Sequence, residues 1–219
     1  MIANDIEVIK KALDIDPQIS LNSNPNLIKI LEDSPEDSTT EPELLDVLYS
    51  IIRSKRTHTV VEIGTFKGIA SLIFSEALRE NNYGKIYTID NGSLIGNKIP
   101  RTLFKKNNLE NIVFIEKDSV SAFESWGRAE IDLLYIDGDH SYSSTCIDFA
   151  LWSRFVTKRG LIVIHDTRTR LLRHFPDDYI YPLDYYNILV IDNVQYRPSG
   201  QEWEGCAFIT KGNQADQIK

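Results

Sequence analysis

Short apolar segments alternate with longer segments of helical periodicity along most of the chain, and this alternation restricts the fold more than any other feature. The apolar segments are nearly uninterrupted and too short for helices, as is typical of strands buried on both faces. Strands are predicted at Thr59–Ile63, Lys85–Ile89, Asn111–Ile115, Ile131–Ile136 and Leu161–Ile164. Helices are predicted between them at Ile69–Leu78, Pro100–Asn107, Val120–Trp126 and Ser143–Phe155. This alternation indicates a parallel sheet covered by helices on both faces.

After His165 the alternation changes. A short helix is predicted at Arg168–His174, followed by strands at Asn187–Ile191 and Gly205–Ile209. The last two strands fit an antiparallel hairpin at the edge of the sheet. The sequence therefore predicts an α/β fold with a doubly wound, mostly parallel, seven-stranded sheet that ends in an antiparallel C-terminal edge hairpin.

The first 42 residues differ in composition from the rest of the chain. Ile6, Ile9 and Leu13 have helical spacing that ends near Pro17, and the segment Glu32–Asp46 has seven acidic residues and no basic one. We interpret residues 1–42 as a helical N-terminal extension with an acidic connector, and residues 43–219 as the functional domain. The connector is interpreted as a solvated linker; the alternatives are a lid over a ligand and an arm that contacts a second copy.

Composition and charge narrow the class of partner. The net charge of -8 over 219 residues argues against nucleic acid and anionic membranes, because both attract basic surfaces. No apolar run approaches the roughly 18 residues that a membrane span needs, and the first residues lack the apolar core of a secretory signal. Cys146 and Cys206 form neither a disulfide framework nor a zinc motif. We expect a cytoplasmic protein that acts on a small molecule.

An acidic residue lies at or shortly after the end of each predicted parallel strand. These residues are Glu62, Asp90, Asp118, Asp137 and Asp166. The carboxyl ends of parallel strands meet at one edge of the sheet, where ligands of such folds bind. Because neighbouring carboxylates repel one another, the pattern predicts a ligand that is cationic or rich in hydroxyl groups.

The turn after the first strand limits the ligand further. Gly64 and Gly68 leave bare backbone at both ends of a sharp strand-to-helix turn. A dinucleotide site would have its second glycine two residues after Gly64, where this chain has Phe66, so a pyrophosphate, and with it an NAD-type oxidoreductase, is disfavoured. Asp90 suits a ribose diol, because a carboxylate accepts hydrogen bonds from both hydroxyls, and Asp118 with Ser119 is placed to meet an adenine edge.

Three segments together resemble a known family. Val60–Gly68, the Asp-Gly-Asp-His-Ser-Tyr motif at residues 137–142 and the His-Asp pair at residues 165–166 are similar to the class I S-adenosylmethionine-dependent methyltransferases. The similarity extends over roughly residues 43–211 and is greatest to small O-methyltransferases with an Asp-Gly-Asp-His-x-Tyr motif. It implies a Rossmann-like methyltransferase domain over residues 43–219 that binds S-adenosylmethionine (SAM). The cofactor residues that it implies are Glu62, Gly64, Thr65, Phe66, Gly68, Asp90, Asp118, Ser119 and Asp137.

The resemblance also bears on a metal ion and on catalysis. In related metal-dependent enzymes of the catechol type, acidic residues after the fourth and fifth strands hold magnesium. Here Asp137, His165 and Asp166 stand at the corresponding positions, which implies a site for Mg²⁺ or another divalent cation. His140, expected near its neutral form at pH 7, would take a proton from the acceptor hydroxyl, with Asp137 as its catalytic partner. Alternatively, His140 caps the next helix and His165 orients the neighbouring aspartate.

The function that follows from the resemblance is transfer of the methyl group of SAM to a hydroxyl of a small molecule, such as a sugar or a natural product. By analogy with the family, a homodimer is expected. The alternative is a protein that binds SAM without catalysis, as a sensor or a scaffold. The acidic residues beyond the predicted cofactor site favour the enzyme, because a binding protein would not need them.

Overall fold

The computed structural model describes residues 3–33, 40–169, 171–183, 186–191 and 205–212. The helices are α1 (Ala3–Ala12), α2 (Pro25–Glu32), α3 (Pro42–Ser54), α4 (Ile69–Glu80), α5 (Lys98–Lys106), α6 (Ser119–Glu124) and α7 (Tyr142–Trp152). The strands are β1 (Thr59–Ile63), β2 (Lys85–Ile89), β3 (Ile112–Ile115), β4 (Ile131–Ile136), β5 (Val156–His165), β6 (Tyr186–Ile191) and β7 (Cys206–Lys211). Within the described ranges, no helix has both the length and the apolar character needed to cross a bilayer.

The seven strands form one sheet in the order β3-β2-β1-β4-β5-β7-β6. The pairs β2–β3 and β4–β5 are parallel, whereas β7 is antiparallel to both β5 and β6. Ile136 pairs with Ile164, so the chain leaves β4 and β5 side by side at the same edge. The predicted fold class, including the antiparallel edge hairpin, is confirmed.

β5 begins five residues earlier than the sequence indicated, at Val156 rather than Leu161. In the stretch between them, Lys158 and Arg159 are exposed and Thr157 is half-buried, so hydrophobic periodicity does not show it. A bulge near Ile131 lets β4 and β5 continue to pair there. Gly160 allows this, because a Cβ atom on it would lie 3.0 Å from the backbone oxygens of Ile131 and Asp132.

The described chain divides into two compact units, one formed by residues 1–60 and 65–116, the other by residues 61–64 and 117–219. In the first unit, the N-terminal segment packs against α3 through a buried ion pair. Lys10 Nζ lies 3.1 Å from Asp46 Oδ2, and the backbone N–H of Leu21 donates to Asp46 Oδ1 at 2.7 Å. Asp46 is therefore a buried partner on α3 and not part of an acidic connector. Residues 34–39 of the predicted connector lie outside the described residues, and the division at residue 42 stays a prediction.

In the second unit, the chain after β5 departs from the prediction. The predicted helix Arg168–His174 is wrong, because the described part of this segment forms successive turns, followed by a single π-helical turn at Pro176–Ile180. The backbone N–H of Leu172 donates to both the carbonyl and the side-chain Oγ1 of Thr169. Such local side-chain bonds compete with helical hydrogen bonds and favour a turn.

Candidate active site

Four titratable side chains meet where the chain leaves β4 and β5. His165 Nδ1 lies 3.0 Å from Asp137 Oδ1, and His140 Nε2 lies 3.3 Å from the same oxygen. The other nitrogen of His140, Nδ1, lies 2.7 Å from Asp166 Oδ2. The sequence prediction that Asp137, His140, His165 and Asp166 form one cluster agrees with this geometry.

The backbone at two of these positions is strained. His140 has φ = 42° and Asp166 has φ = 60°, both in the left-handed region that residues other than glycine rarely adopt. Each such residue costs on the order of 1 kcal/mol or more, and this kind of strain collects at functional sites. The alternative role of His140 as a helix cap is wrong, because Ser141 caps α7 and accepts from the backbone N–H of Ser144.

The electrostatics of the cluster are dominated by its two carboxylates. Hydrogen bonds from His140 to Asp137 and Asp166 raise the pKa of its imidazole to about 10, so these side chains by themselves hold it protonated at pH 7. The expectation of a near-neutral His140 is therefore wrong for this set of side chains. Burial tends to raise the pKa of Asp137, but the charges and hydrogen bonds of His165 and His140 outweigh burial and hold that pKa below its usual range.

The cluster has the donor set of a divalent cation site. One ligand atom from each of Asp137, His140 and Asp166 lies within 4.8 Å of the others. Asp166 is 1% exposed, and its Oδ1 lies 3.2 Å from His165 Nδ1 but accepts no hydrogen bond within the described residues, which fits a carboxylate oxygen that can take a cation. His165 instead contacts Asp137 through Nδ1, as expected of a residue that orients a carboxylate. The role of His165 as a metal ligand stays a prediction.

Sequence reasoning missed one partner of this cluster. The hydroxyl of Tyr135 donates to Asp137 Oδ2 at 3.0 Å. Tyr135 is fully buried in β4, two residues before Asp137. The spacing of two is the available signal, since such residues point to the same side of an extended chain.

The turn after β1 is shaped by close backbone packing. Gly64 has φ = 97°, and a Cβ atom there would lie 2.0 Å from the carbonyl oxygen of Asp137. The backbone N–H of Asp137 in turn donates to the carbonyl of Ile63 at 2.9 Å. Only glycine fits this position. Glu62, two residues before Gly64, is buried, with 1% of its surface exposed. Gly64 therefore brings the first turn against the backbone of the cluster residue Asp137.

Asp90 has a role that the sequence did not indicate. Its Oδ2 accepts from the backbone N–H groups of Thr65 and Phe66 at 3.0 and 2.9 Å, and its Oδ1 accepts from Gly92 at 2.7 Å. Asp90 thus holds the turn that leads to Gly68, which begins α4 with φ = 87°. The predicted contact of Asp90 with a ribose diol stays a prediction.

Asp118 and Ser119 begin α6. Asp118 caps this helix by accepting from the backbone N–H of Ser121 at 2.8 Å, and this hydrogen bond lowers the pKa of its carboxyl. The hydroxyl of Ser119 donates to Asp148, a buried carboxylate on α7 that the sequence did not single out. Burial raises the pKa of Asp148 to about 6, partly offset by the Ser119 hydrogen bond. The predicted adenine contacts of Asp118 and Ser119 stay predictions.

Comparison with known proteins gives a family match for the segment that runs from the second half of β1 to the end of β5. Residues 61–167 match the family model of a methyltransferase domain. This segment, just under half of the chain, is similar to methyltransferase domains. An uncharacterised protein of Acanthamoeba polyphaga mimivirus is 32% identical over 119 residues, which are 49% of this chain and 51% of that protein. The chain spans about half or less of the length of the curated relatives that it matches.

Solved structures show the same fold. An O-methyltransferase from Bacillus cereus, solved in complex with SAH, superposes with a TM-score of 0.67 at 14% identity, covering 96% of this chain and 100% of that one. The O-methyltransferase TomG from Streptomyces achromogenes, which takes part in tomaymycin synthesis and was solved with SAM, has a TM-score of 0.66 at 12% identity, covering 95% and 96%. The cluster at Asp137, His140 and Asp166 lies inside the matched methyltransferase domain.

Proposed function

We propose that this protein transfers the methyl group of SAM to a hydroxyl of a small molecule. The observation that carries the proposal is the cluster of Asp137, His140 and Asp166 within a methyltransferase domain. The carboxylates of this cluster make one end of the domain negatively charged, and the acceptor hydroxyl would bind at that end. The O-methyltransferases of similar fold from Bacillus cereus and Streptomyces achromogenes, solved with SAH and SAM, support the same cofactor.

The proposed cofactor contacts lie at the ends of the strands and in the turns that come directly after them. In the first unit, they are Thr65, Phe66, Gly68 and Asp90; in the second unit, they are Glu62, Gly64, Asp118, Ser119 and Asp137. Bare backbone at Gly64 and the amides fixed by Asp90 support this assignment, because preformed turns bind a ligand at low entropic cost.

At the acceptor end, we propose that Asp137 and Asp166 hold a divalent cation. A cation there would lower the pKa of a bound acceptor hydroxyl. Tyr135 and His165 each hydrogen-bond one oxygen of Asp137 and hold it in one orientation. Because both proposed ligands are carboxylates, the site suits hard cations such as Mg²⁺ and Mn²⁺.

His140 is the proposed proton acceptor. Its side chain is 43% exposed, compared with 1% for Asp166, so it is the member of the cluster that can exchange a proton with an arriving acceptor. A cation bound by Asp137 and Asp166 would share their negative charge and weaken their hold on the proton of His140. The acceptor oxygen then forms its bond to the methyl carbon as the carbon–sulfur bond of SAM breaks, SAH leaves, and the hydroxyl proton passes to His140.

The acceptor that fits this proposal is a sugar or natural-product hydroxyl and not a nucleic acid or a membrane. The net charge of -8 supports this choice. A homodimer and a cytoplasmic location belong to the same proposal, and size-exclusion chromatography with light scattering and cell fractionation test them.

The first experiment is a calorimetric titration with SAM, with Mg²⁺ or Mn²⁺ and again with EDTA, followed by an acceptor screen with labelled SAM. We expect saturable SAM binding and cation-dependent transfer. Asp166→Asn should lower the rate by roughly 100-fold or more, because the cation loses a carboxylate ligand. Asp139→Asn, in the same turn, should stay within about two-fold, since its contacts are to Ser141 and Ser144 outside the cluster.

Two outcomes would contradict the proposal. Turnover that is retained in Asp166→Asn would exclude cation-assisted transfer at this cluster. SAM binding without transfer to any acceptor would support the alternative, a binding protein that is not an enzyme.

A further inference from the structure

A cavity of about 980 Å³ opens on the first unit beside α5. One side consists of the basic side chains Lys98, Arg101, Lys105 and Lys106. Their spacing places them on one face of the helix. Pro100 and Phe104 are buried on the opposite face, and their burial fixes the rotation of α5 about its own axis. The packing of α5 therefore presents its basic face to the cavity.

The charge in this cavity is opposite to that of the chain. Four basic residues and one acidic residue, Glu116, line it, a balance of +3, whereas the whole chain carries -8. Arg101 pairs with Glu116, and its guanidinium lies 5.5 Å from the ring centroid of Phe114, so it is held from two sides. Within the described residues, the three lysines have no carboxylate in ion-pair contact. All three are exposed, so their positive charges face solvent at the cavity.

The loop after β2 forms the other side of the cavity and is itself well ordered by hydrogen bonds. The backbone N–H of Gly96 donates to the carbonyl of Gly92 at 2.9 Å, and that of Gly92 donates to Asp90. A Cβ atom on Gly92 would lie 2.9 Å from Asn97 Oδ1, so the loop closes tightly around a bare residue. This loop is thus one ordered wall of an open cavity, most of whose lining residues are exposed.

We propose that this cavity binds a phosphate-bearing small molecule of nucleotide size, of the nucleoside diphosphate class. Lysine ammonium groups bind phosphate oxygens as point charges, and an ion of two or three negative charges would neutralise the lining. The volume is at the upper end of the roughly 300–1000 Å³ range of small-molecule sites. The net charge of the chain disfavours a long polyanion such as RNA. This inference is independent of the proposed methyl transfer, because SAM has no phosphate.

The test is calorimetry of the full chain at physiological ionic strength with ADP and with inorganic pyrophosphate, each with and without saturating SAH. We expect both to bind, ADP more tightly, and SAH to leave both affinities unchanged. The variant Lys105→Gln/Lys106→Gln should weaken ADP binding by about ten-fold or more, because it loses charge-assisted hydrogen bonds. The matched control Lys29→Gln/Lys85→Gln removes the same charge from exposed positions outside the cavity and should stay within about two-fold.

Four results would overturn the proposal. They are no binding of either probe, equal weakening in the control variant, loss of ADP binding in the presence of SAH, and tighter binding of a single-stranded RNA than of ADP. An affinity for ADP no greater than for pyrophosphate would overturn the nucleoside part. Circular dichroism and thermal melts of all variants show whether they are folded, so that a loss of binding reports on the cavity.

Discussion

At the scale of single residues, the proposed chemistry depends on a histidine held between two carboxylates. His140 reaches Asp166 through Nδ1 and Asp137 through Nε2. The proton on His140 is stabilised by both acids, which raise its pKa to about 10. In the proposed mechanism, His140 would accept a proton only when a cation shares the charge of the acids, so proton acceptance and cation binding would be linked at this site.

His140→Gln separates these two roles. We expect kcat to fall by roughly 100-fold, because no group is left to take the hydroxyl proton. The cation content should stay unchanged, since Asp137 and Asp166 are intact. Metal analysis of the purified variant together with steady-state kinetics measures both quantities. If the cation is lost together with the activity, His140 is a ligand and not the proton acceptor.

Asp148 gives a second prediction at this scale, on the pH dependence of stability. Its pKa of about 6 in the folded protein lies above the ordinary 3.8, so the folded state holds the proton more tightly. The free energy of unfolding should therefore fall as the pH rises through this window, by roughly 3 kcal/mol at most. Asp148→Asn stays neutral and keeps an oxygen for Ser119. It should be more stable than the wild type at about pH 7.5 and show a flatter profile.

Urea unfolding between about pH 4 and pH 8 measures this difference, with the exposed Asp177→Asn as the control. A slope in Asp148→Asn as steep as that of the wild type would show that another group causes the pH dependence.

At the scale of elements, the turns position the site. The turn after β1 can pass the backbone of Asp137 only because Gly64 has no side chain. The elements themselves are ordinary helices and strands, whereas the residues with positive φ concentrate in the turns that follow them. Turn geometry therefore decides where the carboxylates stand.

Gly64→Ala should destabilise the protein by about 3 kcal/mol or more, because the new Cβ atom would lie 2.0 Å from a backbone oxygen. Gly127→Ala is a matched control, since Gly127 also has positive φ (72°) but nothing within 4 Å of an added Cβ atom. It should lose only the roughly 1 kcal/mol that the left-handed conformation costs alanine. Thermal and urea unfolding of both variants give the comparison. Equal losses would show that crowding against Asp137 does not matter.

The N-terminal helices give a second prediction at this scale. Lys10 pairs with Asp46 with only 9% of its side chain exposed, whereas Lys55 pairs loosely with Asp14 at 3.9 Å in solvent. Lys10→Met leaves a buried carboxylate without its cation and should lower the free energy of unfolding by about 3 kcal/mol. Lys55→Met should change it by less than about 1 kcal/mol. Similar values for the two variants would show that α1 is not held to α3 through this ion pair.

At the scale of the whole molecule, hydrophobic periodicity was sufficient for the sheet. The predicted bounds of β1, β2 and β4 agree with the structure, because these strands are mostly apolar and are flanked by polar residues or glycine. Periodicity failed where the chain pairs without being apolar, as at the start of β5, and where side-chain hydrogen bonds replace a helix, as at Thr169. It also gave no sign that Asp46, one of the seven acidic residues of Glu32–Asp46, is buried, since charge in a sequence does not show whether a partner such as Lys10 lies beside it.

By itself, the sequence determined the fold class and the set of acidic residues at the strand ends, because strand length, apolar runs and turn glycines are local properties. The tertiary structure alone decided the partners of these residues. It joined His140 to both Asp137 and Asp166, fixed Asp90 to the backbone of the first turn, and buried Asp148 beside Ser119. These contacts connect residues far apart in the chain, and they set the charge of each group through burial and hydrogen bonding. Neither the burial of a group nor its hydrogen bonding can be read from the order of the residues, because both arise only when the sheet has assembled.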